Sequence, residues 1–182
     1  MAPVSLAVIG LGARFAGGHP LAGTHASGWA AARPDRLRGC VVYVCETGAP
    51  DGHLAAGVVR HFWEHVLEAL PVLIDPAAHD RQLAWTSHLS QAVAYVLAKT
   101  LAGRELGGVS YGTGARDTTR LAGSSPDMWV DILLYNRTAL SEALRSTENE
   151  LAALRELLHA GDEAGLRAYL EAARSFREGL DR

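Results

Sequence analysis

The spacing of apolar and polar residues divides the chain into a short sheet-forming part and a longer helical part. Four short apolar runs, several of them rich in β-branched residues, are typical of buried strands. These runs are Val4–Ile9, Phe15–Gly18, Cys40–Glu46 and Pro71–Ile74. Leu54–Leu70 has helical spacing instead. We therefore predict a small α/β sheet over residues 1–76.

From residue 79 onward the apolar spacing is helical. Asp80 stands where a helix cap is expected, which predicts a helix over Asp80–Ala102. Gly161-Asp162 separates the last two predicted helices, because glycine commonly ends a helix and aspartate commonly begins one. The predicted fold class is mostly α, with an all-helical part over residues 77–182 that follows the small sheet.

One long helix is predicted after Ser125-Pro126, with the serine as its cap and the proline in its first turn. No Gly or Pro interrupts the chain from Asp127 to His159, and at 1.5 Å per residue this helix would be roughly 50 Å long. A globule of this size is only about 30–35 Å wide. The helix carries leucines at approximate heptad spacing, namely Leu133, Leu140, Leu144, Leu151, Leu154 and Leu158. We predict that a second copy covers this stripe, which gives a homodimer through the helical part.

Composition narrows the class of protein further. A formal net charge of -3 argues against binding to nucleic acid. The apolar run near the N-terminus is short and follows no basic region, so neither a signal peptide nor a membrane span is predicted. Cys40 and Cys45 lie on opposite faces of one predicted strand. We therefore expect reduced thiols and a cytoplasmic location without a membrane partner.

Several polar residues have the chemistry needed to bind a hydroxylated acid. His19 precedes Pro20, which keeps the histidine backbone extended, and its imidazole can exchange a proton with a hydroxyl near neutral pH. On the helix from Asp80, a polar stripe consists of Arg81, His88, Gln91 and Tyr95. Arg116 and Arg120 lie four residues apart, and arginine suits a carboxylate. A small carboxylic acid that bears a hydroxyl group is the expected ligand, with Arg116 in a structural role.

Two other motifs are interpreted as ordinary structure. His61-Phe62-Trp63-Glu64-His65 matches the H-x-x-E-H pattern of some zinc proteases. Such a short match is common by chance and no third ligand is obvious, so we predict a packing helix and no metal site. Gly10-Leu11-Gly12 is interpreted as a simple turn.

Three stretches and the leucine-rich helix that follows them resemble the prephenate/arogenate dehydrogenase family. The stretches are GGHPLAGTHASGW at Gly17–Trp29, HDRQLAWTSHLSQAVAYVLA at His79–Ala98 and SYGTGARDTTRLAGSSPDMWVDILLYNR at Ser110–Arg137. Their order and spacing make the resemblance quite specific, and it extends from Phe15 to the C-terminus.

The resemblance implies roles for individual residues. His19 corresponds to the histidine that hydrogen-bonds the substrate ring hydroxyl and assists its oxidation, and Arg120 to the arginine that holds a substrate carboxylate. Further substrate contacts are implied for Thr24, Ser87 and His88. Where the family often has SHLPH or SHLPQ, this chain has SHLSQ. Gln91 therefore resembles members that prefer arogenate or accept both substrates, and Ser90 replaces a proline that distorts the helix.

The family's dinucleotide-binding domain is only partly represented. Gly10 and Gly12 fit the first two glycines of a G-x-G-x-x-G turn, but Phe15 stands in place of the third. Five residues separate Ile9 from Phe15, whereas parallel strands need a crossover of about a dozen or more. Residues 1–76 therefore resemble the remnant of a truncated Rossmann-like domain, and no cofactor is predicted.

Three functions fit these expectations. The favoured one is an enzyme that acts without a redox cofactor on a carboxylated cyclohexadienyl-like or related ring, by decarboxylation, elimination, isomerisation or cyclisation. His19 would be its general acid/base and Arg120 its carboxylate anchor, while Ser87, His88 and Gln91 would orient polar groups. The second is a prephenate/arogenate dehydrogenase of tyrosine biosynthesis, truncated or with unusual NAD(P) binding. The third is a non-catalytic dimer that binds a metabolite.

Overall fold

The computed structural model describes residues 1–10, 14–23, 32–49, 51–103 and 111–180. It is mostly helical with one small sheet, as the sequence predicts. Its two compact units are Met1–Leu140 and Ser141–Arg182. The predicted division into residues 1–76 and 77–182 stays a prediction. None of the helices in the described part of the chain is long and apolar enough to cross a membrane.

The sheet contains three strands in the order β1-β2-β3, namely β1 (Ala16–Pro20), β2 (Val41–Glu46) and β3 (Leu70–Ile74). β1 runs antiparallel to β2, and β2 runs parallel to β3. The central strand supplies the fully buried side chains Val42, Val44 and Cys45. Three of the four predicted strands are therefore confirmed. The central strand β2 is rich in β-branched residues, as expected for a strand that is covered on both faces.

The predicted strand at Val4–Ile9 is wrong, because Ala2–Gly10 forms a helix, α1. A short apolar run does not by itself distinguish a strand from a helix. A strand needs a neighbour to satisfy its backbone groups, whereas a helix satisfies them internally. With α1 helical, Val4–Ile9 is not a strand of the sheet.

Helix α2 (Gly52–His61) connects β2 to β3 and continues into a π-helical turn at Phe62–Val66. The predicted helix over Leu54–Leu70 is therefore confirmed in its first part, but it ends before β3. The chain reverses at Glu68, whose φ is +51°. The helix and its π-helical turn provide the long connection that two parallel strands such as β2 and β3 need.

The next helical segment begins at α3 (Pro76–Leu83), passes through a π-helical turn at Ala84–His88 and continues as α4 (Leu89–Ala102). Its cap is Asp75, whose Oδ1 accepts from the amides of Ala77 and Ala78 at 3.0 and 2.9 Å. The prediction that Asp80 caps this helix is wrong. The proline that follows Asp75 occupies the first turn, where its missing N–H costs nothing.

Beyond residue 110, α5 (Thr113–Thr119) leads into a 3₁₀ turn at Arg120–Gly123. Three further helices follow, namely α6 (Pro126–Tyr135), α7 (Arg137–Ala160) and α8 (Glu163–Gly179). The predicted single helix from Asp127 to His159 is wrong, because it is interrupted at Asn136, whose backbone has φ -110° and ψ 22°. The predicted break at Gly161-Asp162 is confirmed. Gly161 has a φ of +63°, and Asp162 caps α8 through the amide of Gly165 at 2.9 Å.

Candidate active site

The end of β1 and the helix α3 bring two histidines together. His19 lies opposite Tyr43 in the sheet, and its Nδ1 atom is 2.9 Å from Nε2 of His79. The His79 side chain is buried, with a relative exposure of 3%. The Tyr43 ring meets the His79 ring edge-on, with 5.8 Å between centroids. His19 is therefore hydrogen-bonded to a second imidazole, which burial and the Tyr43 ring hold in place.

Asp80 lies on the far side of His79. Its Oδ1 atom is 2.8 Å from His79 Nδ1 and 2.7 Å from the α-amino group of Met1, and its Oδ2 atom accepts from the Ala2 amide at 2.9 Å. Burial alone would raise the pKa of Asp80, but these bonds and the Met1 ammonium charge lower it below 3.8. The carboxylate is therefore ionised at neutral pH, and the start of α1 helps to hold it in that state.

Asn136 connects Asp80 to His88. Its Nδ2 atom donates to the backbone carbonyl of Asp80 at 2.7 Å and lies 3.0 Å from His88 Nδ1. His88 is 8% exposed, and the Trp129 ring lies edge-on to it with 6.1 Å between centroids. We call His19, His79, Asp80, His88 and Asn136 the histidine cluster. All five belong to the unit Met1–Leu140.

The environment lowers the pKa of both outer histidines. Burial lowers the pKa of His19 below 6.5, and positive charge on His79 and at the Met1 amino group acts in the same direction. Burial also lowers the pKa of His88, although the Asp80 carboxylate opposes that change. Both rings are therefore neutral at physiological pH, and a neutral imidazole is able to accept a proton.

The other predicted site residues occupy different environments. Gln91 is buried and donates from Nε2 to the Leu121 carbonyl at 2.6 Å, while the Tyr95 hydroxyl donates to the Ser124 carbonyl at 3.0 Å. Both bonds fasten α4 to the turn that begins at Arg120. In this structure the Gln91 amide nitrogen has a structural role, and its predicted ligand contact stays a prediction.

Ser87 is half-buried in the π-helical turn, next to His88. Arg120 is exposed at the start of its 3₁₀ turn, Arg116 is exposed on α5, and Arg81 is exposed on α3. Thr24 lies outside the described residues. The π-helical turn explains why Arg81 does not share the buried face of His88 and Gln91. A π turn takes one more residue than an α turn, so positions before and after it are out of step.

The sequence prediction includes His19 and His88 but misses their three connecting partners. His79, Asp80 and Asn136 all stand within the stretches that carry the family resemblance. Their position inside these stretches was the one feature of the sequence that could have identified them as site residues. Their roles depend on contacts between residues 48 to 60 positions apart in sequence, which local spacing does not reveal.

The H-x-x-E-H segment forms an exposed histidine pair, His61 and His65. The two rings stack with 4.2 Å between centroids, and His65 Nδ1 lies 3.2 Å from the His61 carbonyl. Glu64 pairs with Arg60 at 3.5 Å. Across the ranges that the structure describes, no three His, Cys, Asp or Glu side chains are grouped to hold a metal ion.

Comparison with known proteins gives consistent relatives. Residues 75–172 match the family described as "Prephenate dehydrogenase, dimerization domain", which begins close to the predicted boundary at residue 77. The prephenate dehydrogenase of Bacillus subtilis is 32% identical over 180 residues, covering 92% of this chain and 46% of the Bacillus protein. The cyclohexadienyl dehydrogenase of Zymomonas mobilis is 33% identical over 152 residues, covering 79% of this chain and 50% of that protein.

Solved structures agree with these relatives. Prephenate dehydrogenase from Aquifex aeolicus, in complex with hydroxyphenyl propionate and NAD+, superposes with a TM-score of 0.84 at 32% identity, covering 91% of this chain and 59% of that one. Arogenate dehydrogenase from Synechocystis superposes with a TM-score of 0.77 at 28% identity, covering 91% and 61%. The chain spans about half the length of the curated relatives it matches. The match over residues 75–172 shows that the chain belongs to the prephenate dehydrogenase family.

Proposed function

We propose that this chain binds a hydroxylated cyclohexadienyl-type ring acid of the prephenate or arogenate class, and that His19 accepts the proton of the ring hydroxyl. The observation that carries this proposal is the position of His19. It lies at the end of β1, attached through Nδ1 to a buried partner at 2.9 Å. Burial keeps its imidazole neutral by lowering its pKa. Family membership supports the substrate class and favours an oxidation over other reactions.

Four further residues are proposed to contact the acid. Arg120 is the proposed carboxylate anchor, because it is exposed and begins a turn that Gln91 fastens to α4 through the Leu121 carbonyl. Ser87 and His88 are proposed to bind polar groups of the ring, since both lie on the π-helical turn beside the histidine cluster. For Thr24, a substrate contact is proposed from the family resemblance alone.

We infer that the described residues are not arranged to bind a dinucleotide. The parallel unit β2–α2–β3 is the place where a pyrophosphate would approach a helix N-terminus. Glu46 at the end of β2 is exposed, and Asp51 before α2 pairs with Arg14 at 2.9 Å. Neither carboxylate can donate a hydrogen bond to a phosphate. A Cβ on Gly52 would overlap the Thr47 carbonyl oxygen, so this glycine serves to close the turn. Gly10 ends a helix rather than following a strand. We therefore derive no step through NAD(P).

A second candidate function follows from that mismatch. Without a nicotinamide cofactor, the same residues suit a decarboxylation, elimination, isomerisation or cyclisation of a related ring acid, in which His19 acts as general acid/base. A non-catalytic metabolite-binding dimer is the remaining alternative.

The deciding experiment mixes the purified chain with prephenate or arogenate, with and without NAD(P)+, and follows nicotinamide absorbance and product masses. Oxidation of the ring acid together with reduction of NAD(P)+ supports the dehydrogenase function. A new product without nicotinamide reduction supports the cofactor-independent function. Saturable binding without any product supports the metabolite-binding dimer. If neither acid binds or reacts, the proposed substrate class is wrong.

The carboxylate anchor needs its own variants. Arg120→Ala is expected to weaken binding of the ring acid by about 10-fold or more, because a charged hydrogen bond contributes roughly 1.5–3 kcal/mol. Arg116→Ala is the matched control, since it removes an exposed arginine four residues away. Titration calorimetry measures both. Equal affinities of the two variants would contradict the assignment of Arg120.

We also propose that the chain is a homodimer through its helical part. In the unit Ser141–Arg182, four large apolar side chains are more than half exposed, namely Leu151 and Leu158 on α7 and Leu170 and Phe176 on α8. The family match over residues 75–172 is to a dimerization domain, which is consistent with a partner covering them. Apolar side chains in such numbers are typical of an interface. Light scattering measures the mass in solution. Leu151→Asp should yield monomer, whereas a wild-type chain that is already monomeric would contradict the proposal.

A further inference from the structure

We propose that Asp80 sets the proton positions of both functional histidines, so that His19 presents a lone pair at Nε2 while His88 presents an N–H at Nε2. His79 and Asn136 transmit this effect. Asp80, His79 and Asn136 are thus positioning residues, and the inference rests on the proposed function in taking His19 as the group that receives the substrate proton.

The first half follows from the Asp80 side chain. Its carboxylate is ionised and only accepts hydrogen bonds, so the His79 Nδ1 atom at 2.8 Å must carry a hydrogen. In a neutral imidazole the other nitrogen is then an acceptor. His79 Nε2 therefore accepts from His19 Nδ1 at 2.9 Å, and the His19 hydrogen resides on Nδ1. The lone pair of His19 is left on Nε2.

The second half follows from the Asp80 main chain. A backbone carbonyl only accepts, so the Asn136 atom 2.7 Å from the Asp80 carbonyl must be the amide nitrogen. The second hydrogen of that nitrogen points to His88 Nδ1 at 3.0 Å, which is therefore an acceptor. The neutral His88 ring then carries its hydrogen on Nε2. One residue consequently fixes opposite proton positions in the two outer histidines.

These two proton positions are complementary for a hydroxylated ring acid. His19 Nε2 receives the hydroxyl proton, the O–H bond breaks, and its electron pair stays on the substrate oxygen. His88 Nε2–H donates to a substrate oxygen at the same time. In the residues that the structure describes, no protein group hydrogen-bonds to Nε2 of either ring. Neither Nε2 atom is therefore occupied by a partner among these residues.

The positive charge that His19 gains is stabilised through the same chain of bonds. His19 keeps its Nδ1–H toward His79 after protonation, and His79 keeps its Nδ1–H toward the Asp80 carboxylate. A buried carboxylate behind two imidazoles holds a ring in one orientation and stabilises its cationic form. The Met1 ammonium lies on the same carboxylate and moderates this effect.

Nitrogen NMR of the full chain labelled with 15N-histidine tests the inference without any substrate. His19→Gln, His79→Gln and His88→Gln assign the signals. At about pH 8, where imidazoles are neutral, we expect Nδ1–H forms for His19 and His79 and an Nε2–H form for His88. A wild-type His19 signal in the Nε2–H form, or a His88 signal in the Nδ1–H form, would overturn the proposal.

Variants add a second readout. His79→Phe removes the acceptor of His19 and should convert His19 to a mixture of both forms, whereas His79→Gln can still accept through its amide oxygen and should partly restore Nδ1–H. Tyr43→Phe is the control, because it keeps a ring against His79 and removes only the hydroxyl that Gln82 contacts. Unchanged His19 signals in His79→Phe would contradict the relay.

Turnover separates this inference from the proposed function. For an accepted ring acid, His79→Phe should lower kcat on the order of 10- to 100-fold and leave KM nearly unchanged, because His79 does not touch the substrate. If the chain turns over no ring acid but shows the expected proton positions, only the proposed function fails. If His19→Ala abolishes turnover but wild-type His19 is in the Nε2–H form, only this inference fails.

Discussion

The histidine cluster and the exposed histidine pair both contain histidines with a carboxylate close by in sequence, but only in the cluster does the carboxylate bond to a histidine. In the cluster, Asp80 contacts the adjacent His79 at 2.8 Å, and the bonds to His19 and Asn136 join α3 to separate elements of the fold. In the exposed pair, His61 and His65 lie one turn apart, and Glu64 pairs with Arg60 instead. Burial in the cluster lowers the pKa of His19 and of His88. Burial and long-range contacts therefore decide which histidines are suited to chemistry, whereas a local motif does not.

The largest expected difference between the two regions is in turnover. His19→Ala should lower kcat/KM for the accepted ring acid by about 10²- to 10⁴-fold, the usual contribution of a general acid/base. His65→Ala should leave kcat/KM unchanged, because its ring lies on the exposed surface. Steady-state kinetics on both variants make the measurement. Equal activity of His19→Ala and wild type would remove the functional distinction between the regions.

The second difference is in the two carboxylates. Asp80→Ala should lower the free energy of unfolding by about 3 kcal/mol, because it leaves the largely buried His79 and the Met1 amino group without their shared partner. Glu64→Ala should change it by less than about 0.5 kcal/mol, since exposed pairs contribute little. Urea denaturation measures both values. A loss below about 1 kcal/mol for Asp80→Ala would mean that the carboxylate behaves like a surface group.

The third prediction concerns the amide that joins the cluster. Asn136→Ala should lower the free energy of unfolding by about 2 kcal/mol, because the Asp80 carbonyl and His88 Nδ1 lose their donor in a buried place. Asn149→Ala is the control, since Asn149 is exposed on α7, and its effect should be within about 0.5 kcal/mol. If both variants unfold at the same urea concentration, Asn136 does not connect the cluster energetically.

The smallest expected effect is a dependence of stability on pH. His19 and His88 have a pKa below 6.5 in the folded chain because of burial, so the unfolded chain binds more protons as pH falls below that value. The free energy of unfolding should therefore decrease between neutral pH and about pH 5. Denaturation curves at a series of pH values should show a weaker decrease for His19→Gln/His88→Gln than for the wild-type chain. An equal or steeper decrease in the double variant would contradict the pKa directions.

The sequence predicts those features that depend on local pattern. The β-branched run at Val41–Glu46 predicts the central strand, and Gly161-Asp162 predicts the end of one helix and the cap of the next. Asp75-Pro76 carries an equally local cap signal, and the assignment of the cap to Asp80 overlooked it.

The features that the sequence does not predict depend on partners far along the chain. The helix break at Asn136 exists where its amide bonds to Asp80 and His88, and no glycine or proline marks it. The helical state of Ala2–Gly10 places the Met1 amino group and the Ala2 amide on Asp80. Within the candidate site, His19 and His88 were predicted from their motifs, while the residues that join them were visible only once the fold was known.

The π-helical turn at Ala84–His88 has a consequence for how this protein tolerates change in length. Successive residues of an α-helix are rotated by about 100° around the helix axis. The π turn takes up one extra residue within a single turn, so removing one of its exposed residues would restore regular winding and keep the His88 ring facing Asn136. Substitutions at the exposed positions of the turn leave the winding intact. A shortened turn is therefore expected to preserve the contact between His88 and Asn136, whereas removing a residue from the regular helix α3 would rotate His88 by about 100°.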